Sequence, residues 1–471
     1  MTMAVTKLKQ VLSYSLSTIF LPLERPMIAL PARFALLAGL GLATVTPALA
    51  DTGTAALHAA DQTKPGEGNA TAAVIAAKSP LVQSAYHLVL TQLKQVRNAS
   101  LRQVTLDALS NPKTCVEHRV GIDDAKKQAL LDRLKTEGLV DPADETKFPG
   151  GLKAGVFPPV LAESGSCPNL PQAFWTAPGS AFGGHHSEPG GLAIHTAFNL
   201  SSDIALAENY RRIYGTAGKD GLSVVTAPGG KVPGPDAATI GIDQDIILLA
   251  PMWHDWTKTI VFQWTAEGGE FAELNFGGNG KTDNYGAEGD SKTGAHHILA
   301  VAETMKRGFP PAFVVTQASA HSAPTGGFEY RVVNWLRAAA IIAGIDPVAK
   351  GYLAQDKAGR LRLPVLRQLG ATDMMNTLPN QPNLLVEYVL HNLSDADYTF
   401  TGPAVAQAQV VLTVLASKYG YDANDIARFN TKFRNPALSY LGAEHVQITY
   451  ADKGLDGVAA DLDRLRKAGV I

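Results

Sequence analysis

Apolar residues recur at three- and four-residue spacing along most of the chain, the period of a helix with one buried stripe. The stretch SAYHLVLTQLKQVRNASLRQVTLDAL, residues 84–109, keeps that spacing throughout. GIDDAKKQALLDRLKTEGL, residues 121–139, adds end signals, with aspartates at its start and Gly138 near its close. Further helical runs are expected near 192–214, 242–264, 295–307, 311–321, 328–343, 382–396, 403–419 and 456–468. Strand-like alternation is scarce, and HVQITYA, residues 445–451, is the best strand candidate. No internal repeat is visible. Two glycine-rich stretches, 215–241 and 266–294, interrupt the helices and exceed the length of most structural loops. Long loops beside a site often carry substrate contacts. The expected fold class is mainly α, a helical bundle with long glycine-rich loops.

The first 50 residues break this pattern. After Met27, Arg33 supplies a positive flank, Phe34 to Val45 an apolar run, and Ala48-Leu49-Ala50 a small-residue cleavage site. The run is short for a bilayer span, which needs roughly 20 residues. The reading is a signal peptide over 1–50, with Met27 as a possible true start, and a periplasmic or secreted protein. Residues 51–78, rich in Ala, Thr and Gly, are expected to form a flexible leader. A helical N-terminal region, 79–180, follows.

Composition narrows the function classes. The 471 residues are 46% hydrophobic and 18% charged, enough for one large or two modest cores. A net charge of −2 offers no footprint for nucleic acid or a membrane surface. An aromatic content of 7% argues against a base-stacking platform. Cys115 and Cys167 are the two cysteines. After export such a pair is most simply a disulfide, two buried thiols being the alternative. A cysteine-rich zinc site is excluded.

The remaining chemistry lies in histidines and acids. Of 12 histidines, seven fall between 185 and 321. HHSEPGGLAIHT places His185 and His186 before a double glycine and His195 in the first turns of a helix. LLAPMWHDWTK puts His254 and Asp255 inside an apolar run, with Lys258 one turn on. An aspartate there needs a partner, because an unpaired buried carboxylate is expensive. His296 and His297 open another helix, His321 ends one, and His391, Asp395 and Asp397 close an apolar one. A divalent ion on neutral imidazoles and a carboxylate would meet that need.

The order His195, His254-Asp255, then Asp395 or Asp397 resembles the HD superfamily of metal-dependent phosphohydrolases. HHSEPGGLAIHT is similar to an element of HD-domain exoribonucleases, and HDWTK to one shared with HD-GYP phosphodiesterases. GAHHILAVAE, followed 24 residues after His297 by His321, is similar to the extra histidines of dinuclear members. The resemblance covers residues 181–400 and leaves 401–471 as a C-terminal helical region packed on that domain. It lacks the exoribonucleases' RNA-binding domain and the GYP element.

The resemblance implies a phosphodiesterase or phosphomonoesterase with, as metal ligands, His195, His254, Asp255, His297, His321 and Asp395 or Asp397, Asp395 being preferred. It implies two divalent ions, Mn, Fe, Co, Ni or Zn rather than Mg alone, with Asp255 bridging them. His296 reads as a capping neighbour of His297, and His391 as a partner behind Asp395. Lys258 joins Asp255 as a catalytic residue, and His185 and His186 contact a phosphorylated small molecule or nucleotide, a plain surface loop being their alternative. An HD-fold di-iron oxygenase and a non-catalytic metal-binding sensor remain as alternatives. The oligomeric state is open.

Overall fold

The computed structural model describes residues 66–215, 218–222, 225, 241–277, 291–367, 373–376 and 383–471. These form a mainly helical structure with two short strand pairs. Residues 1–50, where a signal peptide is expected, residues 51–65 and much of both glycine-rich stretches lie outside the described residues.

Helices begin where the sequence offers a cap. Ser79 accepts from the Val82 amide at the head of α2 (Pro80–Leu93), and Asn98 from Leu101 at the head of α3 (Ala99–Ser110). Asp123 caps α4 (Asp124–Thr136) through the Lys126 amide. Ahead of them, α1 (Asn69–Lys78) corrects the expected leader. Its alanines Ala72, Ala73 and Ala76 are buried, and an alanine-rich segment that finds a surface to cover makes a good helix.

The central helix is α5 (Gly191–Tyr214), which packs against α2, α6 (Gln244–Trp253) and α10 (Val386–Ser394). Between α6 and α10 in sequence lie α7 (Ala295–Lys306), α8 (Pro311–Ala318) and α9 (Glu329–Ala343). α7 packs on α9, and α8 lies against α6, α7 and α10. The strands Asn275–Phe276 and Thr293–Gly294 pair antiparallel directly before α7.

Two expectations fail for identifiable reasons. The run 242–264 is not one helix: α6 stops at Trp253, and a second short turn spans Lys258–Val261. Pro251 and the hydrogen bonds of the following turn bend the chain there. HVQITYA is helical, because Val446 is buried on one stripe of α13 (Ala443–Lys467) while Ile448 and Tyr450 face outward.

α11 (Tyr398–Leu415), α12 (Asn435–Leu441) and α13 share an apolar cluster of their own. Ser439 joins it to the rest, its carbonyl accepting from Ser79 Oγ at 2.6 Å and its hydroxyl donating to the Pro189 carbonyl at 2.8 Å. Val386–Tyr419 has the length and apolarity of a membrane span, yet it is two helices joined at Asp395–Asp397, and α10 is buried against three neighbours.

Cys115 and Cys167, 52 residues apart, are disulfide-bonded, with Cα atoms 4.9 Å apart. Reduction is expected to lower the unfolding free energy by up to about 4 kcal/mol, the chain-entropy value for a loop of that size. Urea unfolding with and without reductant checks this. Coincident midpoints would deny the bond a stabilising role.

Candidate metal centre

The double glycine lets a loop close over the start of α5. Gly190 has φ +85°, and a Cβ there would meet the Val82 side chain at 2.5 Å. A Cβ on Gly191 would strike the His186 carbonyl, which instead accepts from the Gly179 amide at 2.7 Å. His186 itself is held at φ +49°, a left-handed backbone that costs a side-chain-bearing residue energy. The loop thereby stays against His195 in the second turn of the helix.

The His254-Asp255 turn is fixed from both flanks. Trp253 Nε1 donates to Thr105 Oγ1 at 2.8 Å, and Trp256 Nε1 to the Ala108 carbonyl at 2.9 Å, both on α3. The two indoles are buried. His254 and Asp255 are therefore aimed by a turn pinned to α3 and not by the middle of a helix.

Four donor atoms meet between α5, this turn and the end of α10. His195 Nε2 lies 3.0 Å from Asp255 Oδ2 and 3.2 Å from Asp395 Oδ1. His254 Nε2 lies 3.1 Å and 3.2 Å from the same two oxygens. Nitrogen and oxygen alternate around a ring. Donors about 2.1 Å from one ion and at right angles to each other stand roughly 3.0 Å apart, so the ring has the spacing of adjacent ligands of a single cation.

Each imidazole is turned toward the ring by a bond from its other nitrogen. His254 Nδ1 donates to the Pro251 carbonyl at 3.0 Å. His195 Nδ1 faces Asp397 at 3.3 Å, and the same carboxylate meets His186 Nε2 at 2.9 Å. Such a back partner fixes the tautomer and orientation of a metal-binding histidine. Asp395 thus belongs to the ring, and Asp397 stands behind His195.

The ring shows a demand for positive charge. Burial alone would push the His254 imidazole down, but Asp255 and Asp395 outweigh it and hold it at about 9. His195 is likewise raised well above its usual value against the same burial, by Asp397, Asp255 and Asp395. Burial would raise Asp255, yet His254, Lys258 and His195 keep it well below the usual carboxylate range. Asp255 Oδ1 is buried without a hydrogen-bond partner. A cation among these donors would supply the missing charge and use neutral imidazoles.

A second trio shares Asp255. His296 Nε2 stands 3.4 Å from Asp255 Oδ1, and His321 completes a group able to hold an ion. Glu273 binds His296 Nδ1, and Thr293 Oγ1 binds His321 Nδ1 at 2.8 Å. The resemblance had pointed to His297 here, and the structure places His296 instead. Neighbouring helical residues diverge by about 100°, so His297 points away, its Nε2 donating to the Ala318 carbonyl at 3.1 Å while its ring stacks on His321.

A cavity of about 340 Å³ adjoins both groups and is lined by His185, Lys258, Glu273 and Tyr398 among others. Lys258 Nζ donates to Asp255 Oδ2 at 2.5 Å and to the Gly179 carbonyl. Burial, with His195 and Lys258 nearby, pushes the His185 imidazole down to about 2, so it is neutral at pH 7. His186 does not reach this cavity. It lines a larger, mostly apolar groove of about 790 Å³ across the Asp397 turn, which lacks the ring residues, and beside it His186, His195 and Asp397 form a further group with the spacing of ion ligands. His391 is buried beside Asp203, its ring edge-on to His254 at 5.1 Å between centroids.

Sequence reading missed Asn199, Glu273 and Thr293. Asn199 had a signal, being four residues after His195 on the same helical face. Glu273 and Thr293 sit in the second glycine-rich stretch, where no period marks them. Comparison of the chain with protein-family models, curated proteins and solved structures finds no match.

Proposed function

We propose that this protein is an exported, metal-dependent phosphoric ester hydrolase with a two-ion centre and the ligand order of the HD superfamily. The observation that carries the reading is the alternating ring of His195, Asp255, His254 and Asp395, joined through Asp255 to His296 and His321 beside one cavity. The ring residues would hold one ion, and Asp255, His296 and His321 the other. Nitrogen and carboxylate donors favour Mn, Fe, Co, Ni or Zn over Mg alone. Such ions supply Lewis acidity toward a phosphoryl oxygen and a water acidic enough to attack near neutral pH.

The chain's own groups do the rest. Asp255 and the Gly179 carbonyl hold the Lys258 ammonium at the cavity wall, where its charge offsets a phosphate oxygen. His185, neutral and at the same wall, is placed to hydrogen-bond a phosphoryl group. The Cys115–Cys167 disulfide supports the exported location.

Loading metal-free protein with Mn, Fe, Co, Ni or Zn and assaying bis-p-nitrophenyl and p-nitrophenyl phosphate tests the reading, with metal content measured alongside. Hydrolysis should depend on the bound metal. Lys258→Met should keep the metal and lose turnover about 100-fold, as removal of a transition-state charge partner does. A fully loaded protein that hydrolyses neither ester, and consumes oxygen with iron bound, would replace the hydrolase by an oxygenase.

A further inference from the structure

The ring is covered on one face by a side chain that no ligand pattern identified. Asn199 is fully buried on α5, one turn beyond His195. Its Nδ2 lies 3.2 Å from His195 Nε2, 3.4 Å from His254 Nε2 and 2.9 Å from Asp395 Oδ1. Those separations are close to the 3.0–3.2 Å that divide the ring atoms from one another. The end of the amide thus occupies the position of a further ligand above the ring. Its other atom, Oδ1, is buried with no hydrogen-bond partner.

We infer that Asn199 is a fifth ligand of the ring ion through its side-chain oxygen. With Asp395 Oδ1 committed to a cation, the amide N–H would lose its carboxylate acceptor and point a positive hydrogen at a positive ion. A half-turn of the amide exchanges its two ends, which have nearly the same shape, and presents an oxygen with lone pairs. The half-turn also removes a buried oxygen from isolation, since an unsatisfied buried acceptor is costly. Asn199 then responds to occupancy, donating to Asp395 without the ion and ligating with it. This inference rests on the metal-centre reading and is independent of the reaction proposed.

Co2+ alone, titrated into the metal-free full chain, provides the test through its affinity and visible absorption. Asn199→Leu, similar in size and without a donor atom, should bind Co2+ about 10–100-fold more weakly, the range seen when a supporting contact at a metal site is lost. Its visible bands should intensify, as they do when cobalt loses a ligand. Asn199→Asp keeps an oxygen and discards the N–H groups, so it should retain the wild-type band intensity. An Asn199→Leu protein with wild-type affinity and spectrum overturns the inference while leaving the metal centre in place. If that variant does not fold, Asn199→Asp decides the matter, and bands stronger than those of the wild type overturn the assignment. A wild-type chain that takes up no Co2+ overturns the centre itself and this ligand with it.

Discussion

Asp255→Asn is expected to abolish metal retention and, with it, any hydrolysis of the kind proposed. The substitution keeps volume and shape, so the loss isolates charge and ligation. Asp255 Oδ2 is one corner of the ring, and Oδ1 faces His296, so a single change removes the shared negative charge and leaves one amide oxygen where two carboxylate oxygens served the two groups. It also takes the Asp255 counter-charge from the buried Lys258 ammonium, leaving it bonded to the Gly179 carbonyl. Loss of a contact merely behind a ligand costs about 10–100-fold in metal affinity, and loss of a shared ligand should exceed that. Metal analysis after dialysis, beside thermal melting with and without added Mn2+, reads both effects. The wild type should melt higher when loaded, because a ligand that binds only the folded state stabilises it. Retained metal and an unchanged loading shift in Asp255→Asn would overturn the shared-carboxylate centre. His297→Ala should retain the second ion and His296→Ala should lose it.

Three of the ring residues were legible because each carries a separate sequence signal, and Asp395 was legible only as one of a pair with Asp397. His195 follows a double glycine, His254 and Asp255 are polar within an apolar run, and Asp395 ends an apolar helix. The choice between His296 and His297 was not legible. Both begin the same helix, and the rotation of α7 about its own axis decides which faces Asp255. That rotation comes from packing that links Ala318 and Trp335 to His297, contacts that no local pattern contains.

The fold divides in the same way. Capped helices such as α4 could be read from their ends, because Asp123 and Gly138 act within a few residues of the boundary. The break after Trp253 could not, since apolar periodicity continues through it to Ile260, Phe262 and Trp264, all buried. Pro251 weakens the helix at that point, and the anchoring of Trp253 and Trp256 to α3, 148 residues distant in sequence, fixes the turn that follows. HVQITYA has alternating apolar residues, but it is helical in the part of α13 before the kink at Gly454, where Val446 is buried while Ile448 and Tyr450 are exposed. Tertiary burial overrides a short β-like run of that kind.

Glu303→Gln is expected to destabilise the fold by roughly 3 kcal/mol at pH 7, the cost of breaking a buried charge network. Glu303 is fully buried on α7, the helix that carries His296. Its carboxylate accepts from the backbone amides of Glu117 and His118, both at 3.0 Å, from His118 Nδ1 at 2.7 Å and from Arg307 Nε at 2.7 Å. It thereby clamps the turn after Cys115 onto the helix. Burial would raise its pKa, but Arg307 and His118 outweigh burial and bring it down to about 2. A carboxyl lowered on folding stabilises above its unfolded value, near 4.3, and loses that contribution as pH falls toward 2. His118 has the same sign, since burial lowers its pKa and acid favours the unfolded chain, where it protonates freely. Wild-type stability should therefore begin to fall below about pH 6.5, as His118 protonates in the unfolded chain, and fall steeply between about pH 4.5 and 2, and Glu303→Gln should flatten that lower limb while starting lower. Urea midpoints measured from pH 7 down to the acid transition test both features. Equal midpoints at pH 7 together with an unchanged acid slope would show that this carboxylate neither bears charge in the folded protein nor holds the turn to α7.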